Sequence, residues 1–134
     1  MTTEFFISMV PPTVTHQEKK ITAVNGRLHL YEGPELKDAR QKLTAHLSGH
    51  APATPYASAV RLVTKWLFPR GSHKNGEWRT SKPDTDNLQK LLKDCMTKCG
   101  FWKDDALVAS EIVEKFWADA PGIYIQIEEL NSNE

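Results

Sequence analysis

The sequence lacks several features that would place it in a specialised class of protein. No apolar run approaches about 18 residues, so no segment is suited to crossing a membrane. The first four residues do not begin a basic segment followed by a long apolar one, so we expect no signal peptide. Only two cysteines occur, Cys95 and Cys99, and we interpret them as reduced core residues of a cytoplasmic protein.

The sequence also has no net charge, since 17 basic residues balance 17 acidic ones. The charges are nevertheless unevenly distributed. Residues 1–82 carry 12 Lys and Arg against 6 Asp and Glu, whereas residues 83–134 carry 5 against 11. This asymmetry is consistent with a basic binding surface beside an acidic site that attracts cations. The alternative is that the two halves interleave in space and their fields cancel.

What the sequence does contain is the length and periodicity of one α+β (mixed α/β) domain, which we assign to residues 1–134. Apolar patterning predicts six strands and two main helices in the order β-ββ-α-β-α-ββ, forming a mixed β-sheet packed against helices. The predicted strands cover residues 4–10, 21–24, 27–30, 56–68, 106–117 and 123–130. The predicted helices cover residues 35–48 and about 86–99. The first has apolar residues at helical spacing at Leu36, Ala39, Leu43 and Leu47, and the second at Leu88, Leu91, Leu92, Cys95 and Cys99. In the strand at 56–68, alternate residues from Tyr56 to Phe68 are predicted to lie on one side.

Residues 21–30 contain the strongest local signal. Asn25-Gly26 lies between two β-prone runs, and both central residues of a type I′ turn need a positive φ angle. A two-residue loop pairs Val24 with Arg27. The same register brings apolar residues of the two strands opposite each other, which predicts a hairpin with one apolar face.

The chemistry is expected around the second helix. Asp84 and Asp86 lie at its start, and the adjacent Asp104 and Asp105 follow its end. Acids at a helix N-terminus can simply cap free amides. Two of them, followed by a second pair beyond the helix, exceed what capping requires. Clustered carboxylates repel unless a cation neutralises them, and magnesium prefers oxygen ligands that it shares with substrate phosphates.

Lys90 lies four residues after Asp86 and therefore projects from the same face of the helix. One interpretation is an ordinary ion pair between them. The other is that Lys90 stabilises charge on a phosphodiester in the transition state or orients the attacking water. Carboxylates, a divalent cation and a lysine are the components of metal-assisted phosphodiester hydrolysis.

The loop at residues 69–82 is a candidate DNA contact. Basic residues interleaved with an aromatic one suit contacts with phosphates and bases. A merely solvated loop is the alternative. The candidate DNA-binding residues are Arg70, Lys74, Arg79 and Lys82, with Trp78 among them.

Residues 83–108 resemble the signature of the RusA family, through DTDNLQK at 84–90 and GFWKDDALV at 100–108. The resemblance implies a homodimeric endodeoxyribonuclease, commonly encoded by phages or prophages. Such an enzyme resolves Holliday junctions in DNA recombination and repair by paired nicks, with Mg²⁺ as cofactor or Mn²⁺ in its place. It further implies that Asp84, Asp86 and Asp105 bind the metal and that Lys90 is catalytic. The chain departs from the family pattern in a less densely basic stretch at 79–83.

The position of Asp105 poses a geometric question. A helix over residues 86–99 rises about 20 Å. Asp105 lies six residues beyond Cys99, a reach of at most about 20 Å. Three arrangements would bring it to the start of the helix: a shorter helix, helix tilt with side-chain reach, or an Asp105 supplied across a dimer.

Two functions follow from these observations. The first is a junction-resolving nuclease. The second is a non-catalytic protein that binds branched DNA on the same scaffold, with the acids serving as helix caps. The presence of all three carboxylates and the lysine favours the nuclease.

Overall fold

The computed structural model describes residues 1–15, 19–24 and 26–130, apart from the side chains of residues 19–24 and 28–31. The order of elements in this part of the chain confirms the predicted β-ββ-α-β-α-ββ arrangement. The elements are β1 Thr2–Ile7, β2 Lys19–Val24, β3 Arg27–Glu32, α1 Pro34–Ser48, β4 Val60–Pro69, α2 Thr85–Lys98, a 3-10 helix Asp105–Leu107, β5 Val108–Ala118 and β6 Gly122–Glu129.

Four strands form a mixed sheet in the order β1-β6-β4-β5. β6 pairs antiparallel with both β1 and β4, whereas β5 pairs parallel with β4. A parallel pair needs a long crossover connection, which α2 supplies here. The chain from the end of β4 through α2 to the start of β5 is therefore one crossover connection between two parallel strands.

The core lies between one face of the sheet and the two helices. The alternation predicted for β4 is confirmed, since Val60, Leu62, Thr64, Trp66 and Phe68 are all buried. The predicted strand began at residue 56, but β4 begins at Val60, and the residue at position 58 is exposed. The helices contribute the predicted apolar stripes, namely Leu36, Ala39, Leu43 and Leu47 of α1 and Leu88, Leu91, Leu92 and Cys95 of α2.

The predicted hairpin is confirmed in its pairing. β2 and β3 form a separate two-stranded sheet in which Val24 pairs with Arg27 and Lys19 with Glu32. Gly26 has a φ angle of 76°, as the turn requires. Asn25, the other turn residue of the prediction, lies outside the described residues.

The ends of two strands differ from the prediction. β1 ends at Ile7 rather than at residue 10, ahead of the two prolines that cannot donate to a ladder. β5 begins at Val108 because Asp105–Leu107 forms a 3-10 helix instead. Neither α-helix of the described chain has the length and apolar character needed to cross a membrane.

Candidate active site

The start of α2 carries two carboxylates, Asp84 and Asp86, which we call the acidic pair. Asp84 is the N-cap residue, yet its carboxylate accepts no hydrogen bond from the helix amides. It lies 3.1 Å from the Nζ of Lys82 instead. Asp86 is exposed, and no described residue pairs with its carboxylate. Helix capping is therefore not what the side chains of the acidic pair do in this structure.

The acidic pair opens onto a cavity of about 410 Å³. Its wall combines the start of α2 with the chain that follows β1, and oxygen-bearing side chains predominate. The lining residues are Thr13, Thr15, Lys82, Pro83, Asp84, Asp86 and Asn87.

The backbone leading into Asp84 is held by two cations. The Nζ of Lys115 donates hydrogen bonds to the carbonyl oxygens of Ser81, at 2.8 Å, and Pro83, at 2.7 Å. Arg79 donates to the carbonyl of Lys82 between them. Three successive carbonyls are thus bound by side chains, which fixes the approach of the chain to the acidic pair.

Lys115 is a residue that the sequence reasoning missed. It pairs in register with Trp66 on β4 and therefore lies on the core-facing side of β5. Burial lowers the pKa of Lys115, the charge of Arg79 lowers it further, and Asp84 opposes the shift. A lysine in a strand position that alternation assigns to the core was the available signal.

Arg79, a predicted DNA contact, is built into this support. Its guanidinium carbon lies 4.2 Å from the ring centre of Phe68 and 4.4 Å from that of Trp117. Burial lowers the pKa of Arg79. Its Nε atom is buried and has no hydrogen-bond partner within the described chain.

The end of α2 turns the chain back along the helix. Gly100 adopts a φ angle of 84°, and its amide donates to the carbonyl of Thr97 while that of Phe101 donates to Met96. This is the Schellman pattern, which glycine favours because it tolerates the left-handed conformation. Phe101 and Trp102 are then buried, so the return is anchored in the core.

The two acids that follow this turn have different roles. Asp104 caps the 3-10 helix, since its Oδ1 accepts from the amide of Ala106 at 2.8 Å. The Oδ2 of Asp105 lies 3.9 Å from the Nζ of Lys90. Asp105 is therefore the carboxylate of the pair that meets α2.

This contact answers part of the geometric question. α2 has 14 residues and is not shorter than the sequence predicts. The chain needs to return only from Lys98 to Lys90, about 12 Å along the helix. Asp105 reaches α2 of its own chain, so a second subunit is not required to bring it there.

Lys90 belongs to a series of alternating charges that we call the ion-pair chain. Its Nζ lies 3.2 Å from the Oδ1 of Asp94, and the Oδ2 of Asp94 lies 3.7 Å from the Nη1 of Arg40. The Nε of Arg40 contacts the Oε1 of Glu32 at 2.6 Å. The i,i+4 partner of Lys90 is thus Asp94 rather than Asp86. The ion-pair chain consists of Glu32, Arg40, Asp94, Lys90 and Asp105.

The ion-pair chain borders a second cavity, of about 570 Å³, which Asp105 lines. The predicted metal ligands are therefore divided, with the acidic pair on one cavity and Asp105 on the other. No three or more His, Cys, Asp or Glu side chains of the described residues are grouped so as to hold a metal ion. The two carboxylates of the acidic pair nevertheless fit magnesium, because this ion commonly takes one or two carboxylates and completes its shell with water and substrate phosphate.

The predicted DNA-binding residues differ in how free they are. Arg70 pairs with Asp119, and Arg79 is stacked as described. The side chain of Lys74 is exposed and has no partner among the described residues, and the side chain of Lys82 is 84% exposed beside Asp84. All four remain predictions, but Lys74 and Lys82 are the cations best placed to meet a phosphate.

Comparison with known proteins identifies the class as endodeoxyribonuclease, because the family model described as endodeoxyribonuclease RusA matches residues 10–128. The chain belongs to this RusA family, which confirms the resemblance seen in the sequence.

Two relatives support this membership. The chain is 31% identical over 130 residues to the crossover junction endodeoxyribonuclease RusA of Lactococcus phage r1t, and the alignment covers 95% of this chain and 96% of the phage protein. It is also 28% identical over 120 residues to the uncharacterized protein YqaN of Bacillus subtilis (strain 168), with coverage of 81% and 84%.

Proposed function

We propose that the protein is a magnesium-dependent, homodimeric endodeoxyribonuclease that resolves four-way DNA junctions. The observation that carries the proposal is the disposition of charge on α2. The helix begins with the acidic pair, whose Asp86 has no partner in the described chain, and it presents Lys90 beside Asp105 one turn later. The phage relative, which is named a crossover junction endodeoxyribonuclease, aligns with 95% of the chain.

In this proposal Asp84 and Asp86 would hold the magnesium ion, and Asp105, which lies on the other side of Lys90, would be a third ligand. When bound, the ion supplies Lewis-acid stabilisation of the phosphate charge and makes water a better nucleophile. Lys90 donates a hydrogen bond to a phosphate oxygen and neutralises the charge that grows in the transition state. The exposed Lys74 and Lys82 attract the DNA backbone.

The dimer follows from the reaction. Resolving a four-way junction requires one cut in each of two strands that are related by a two-fold axis. A two-fold dimer presents two identical sites with the same symmetry. We therefore expect a mass in solution of twice the 15.2 kDa of one chain, measured by light scattering on the protein without DNA.

The main test is cleavage of a synthetic four-way junction in a gel assay. The unmodified protein is expected to nick two opposing strands when magnesium is added and to leave the junction intact in EDTA. Asp86→Asn, which keeps the size of the side chain but removes its charge, is expected to bind the junction and not cut it. Asp38→Asn is the matched control, because Asp38 lies in an exposed i,i+4 pair with Lys42 on α1, outside the site.

Three results would contradict the proposal. Normal cutting by Asp86→Asn would show that the acidic pair is not the metal site. A junction left whole by the unmodified protein with either magnesium or manganese would favour the non-catalytic alternative. Cutting of flaps or single strands in preference to junctions would keep a metal nuclease and reject a resolvase.

A further inference from the structure

Lys90 is a long side chain whose position needs an explanation. Its side chain is 54% exposed. A lysine side chain that becomes fixed loses rotamer entropy, so an exposed lysine stays mobile unless a partner holds it. Catalysis by a charged group depends on placing that charge within a fraction of an ångström. Within the described chain, the groups that pair with the Lys90 ammonium are the carboxylates of Asp94 and Asp105.

These two carboxylates do not hold Lys90 equally. Asp94 lies at 3.2 Å, whereas Asp105 lies at 3.9 Å. Asp94 also occupies the next turn of the same helix, so its distance from Lys90 is set by helix geometry. Asp105 is also a proposed ligand of the metal ion, so its carboxylate is shared between two cations. Asp94 is therefore the partner that can hold Lys90 throughout the reaction.

Asp94 is itself held from the opposite side. Its second oxygen faces the guanidinium of Arg40, whose side chain is only 14% exposed. Arg40 in turn contacts Glu32 at the end of the hairpin strand β3. A half-buried carboxylate with a cation on each oxygen has little freedom to rotate. Asp94 therefore restrains the position of the Lys90 ammonium.

We infer that Asp94 is a positioning residue for the nuclease reaction, which holds the Lys90 ammonium in place and is braced by Arg40. The inference rests on the proposed function, since it assigns Asp94 a role through the proposed catalytic lysine. It also adds Arg40 of α1 and Glu32 of the hairpin to the residues that support the candidate active site. Asp94 touches neither substrate nor metal in this account.

The first measurement compares Asp94→Ala with the unmodified protein in single-turnover cleavage of a four-way junction. The expected result is a rate about tenfold lower, because a loosened catalytic group is less often correctly placed. The dissociation constant for the junction is expected to stay within about twofold, because Asp94 makes no proposed contact with DNA. Asp94→Glu, which keeps the charge, is expected to restore part of the rate.

The second measurement follows Lys90 directly and needs no DNA. An amine-reactive reagent is applied to each protein, and labelling of individual lysines is quantified by peptide mass spectrometry. Asp94→Ala is expected to raise labelling of Lys90 severalfold while labelling of Lys37, an exposed lysine on α1, is unchanged. The matched control is Asp38→Ala, which removes the aspartate of an exposed Asp–Lys i,i+4 pair and is expected to leave cleavage and Lys90 labelling unchanged.

The inference is overturned if Asp94→Ala cuts at the normal rate, or if it leaves Lys90 labelling as it was. It is also overturned if the junction is bound more weakly in proportion to the loss of rate. Asp94→Asn, which preserves side-chain volume, replaces the alanine variant if circular dichroism shows that the latter has unfolded. If the unmodified protein cuts no junction, the proposed function fails, and the labelling result alone decides whether Asp94 holds Lys90.

Discussion

The acidic pair and the ion-pair chain both place aspartates on α2, but their surroundings differ. No described residue pairs with the carboxylate of Asp86, and the ion-pair partner of Asp84 is the exposed Lys82. In the ion-pair chain, by contrast, Arg40, Asp94 and Lys90 each lie between two groups of opposite charge. The same residue type thus meets two different electrostatic environments at one helix. An uncompensated carboxylate attracts a cation from solution, whereas a compensated one fixes a cation of the protein.

The largest effect is expected from Asp84→Asn combined with Asp86→Asn, which removes the charge of the acidic pair. The cleavage rate should fall by at least about a hundredfold, because the protein no longer holds the metal ion that stabilises the transition-state charge. Binding of magnesium to the protein alone, measured by calorimetry, should be lost as well. Retained magnesium binding in this variant would mean that the ion binds to residues other than the acidic pair.

Lys90→Met should lower the cleavage rate by up to about a hundredfold, because it removes a positive charge at the phosphate. The magnesium concentration that gives half-maximal cleavage should not rise, since Lys90 is not a ligand. A magnesium titration of this variant therefore distinguishes the role of the ion-pair chain from that of the acidic pair. A variant whose activity returns with excess magnesium would show that Lys90 acts through the ion.

Lys115→Met should have an intermediate effect. It leaves the carbonyls of Ser81 and Pro83 without their side-chain donor, and hydrogen bonds to a charged group contribute about 1.5–3 kcal/mol. We expect urea denaturation to show a loss of about 1.5 kcal/mol in the free energy of unfolding. Cleavage should fall about tenfold, because the acidic pair is less firmly placed. Lys65→Met, at an exposed β4 position, is the control, and an equal loss there would remove any special role of Lys115.

Gln89→Met should have the smallest effect. Gln89 is buried on α2, where its Oε1 accepts from the hydroxyl of Thr64 at 2.9 Å while its Nε2 has no partner among the described residues. The substitution loses one hydrogen bond and removes one unpaired donor, so the free energy of unfolding should change by less than about 1 kcal/mol. Cleavage should be unchanged. A large loss of activity would show that the amide of Gln89 contributes to the site.

The sequence allowed much of the fold to be predicted because the signals were local. Leucine spacing defined both helices, Asn25-Gly26 set the pairing of the hairpin, and alternation marked the buried side of β4. Each of these depends on residues within a few positions of one another. The order of the strands in the sheet depends on distant segments, and nothing in the sequence indicated that β6 lies between β1 and β4.

The candidate site was likewise predicted only in part, because its local motifs were visible in the sequence and its contacts between distant segments were not. The motif at 84–90 and the aspartates at 104–105 were visible, but the ion pair considered for Lys90 was with Asp86, whereas its partner in the structure is Asp94. Asp86 and Asp94 are equally spaced from Lys90 along the helix, and only the fold places Arg40 behind Asp94. Lys115 was missed for a similar reason. Its contact with residues 81–83 arises only when β5 lies parallel to β4.

The place of β6 in the sheet has a consequence for the making of the protein. β6 comes last along the chain among the described strands, yet it is hydrogen-bonded on both edges, so β1 and β4 have no common neighbour until residues 122–129 have been synthesised. Contacts between such distant segments form late, because the loop they close is long. Until then the nascent chain contains the residues of the candidate site without the complete sheet that supports them. We therefore expect a fragment that ends before β6 to lack nuclease activity.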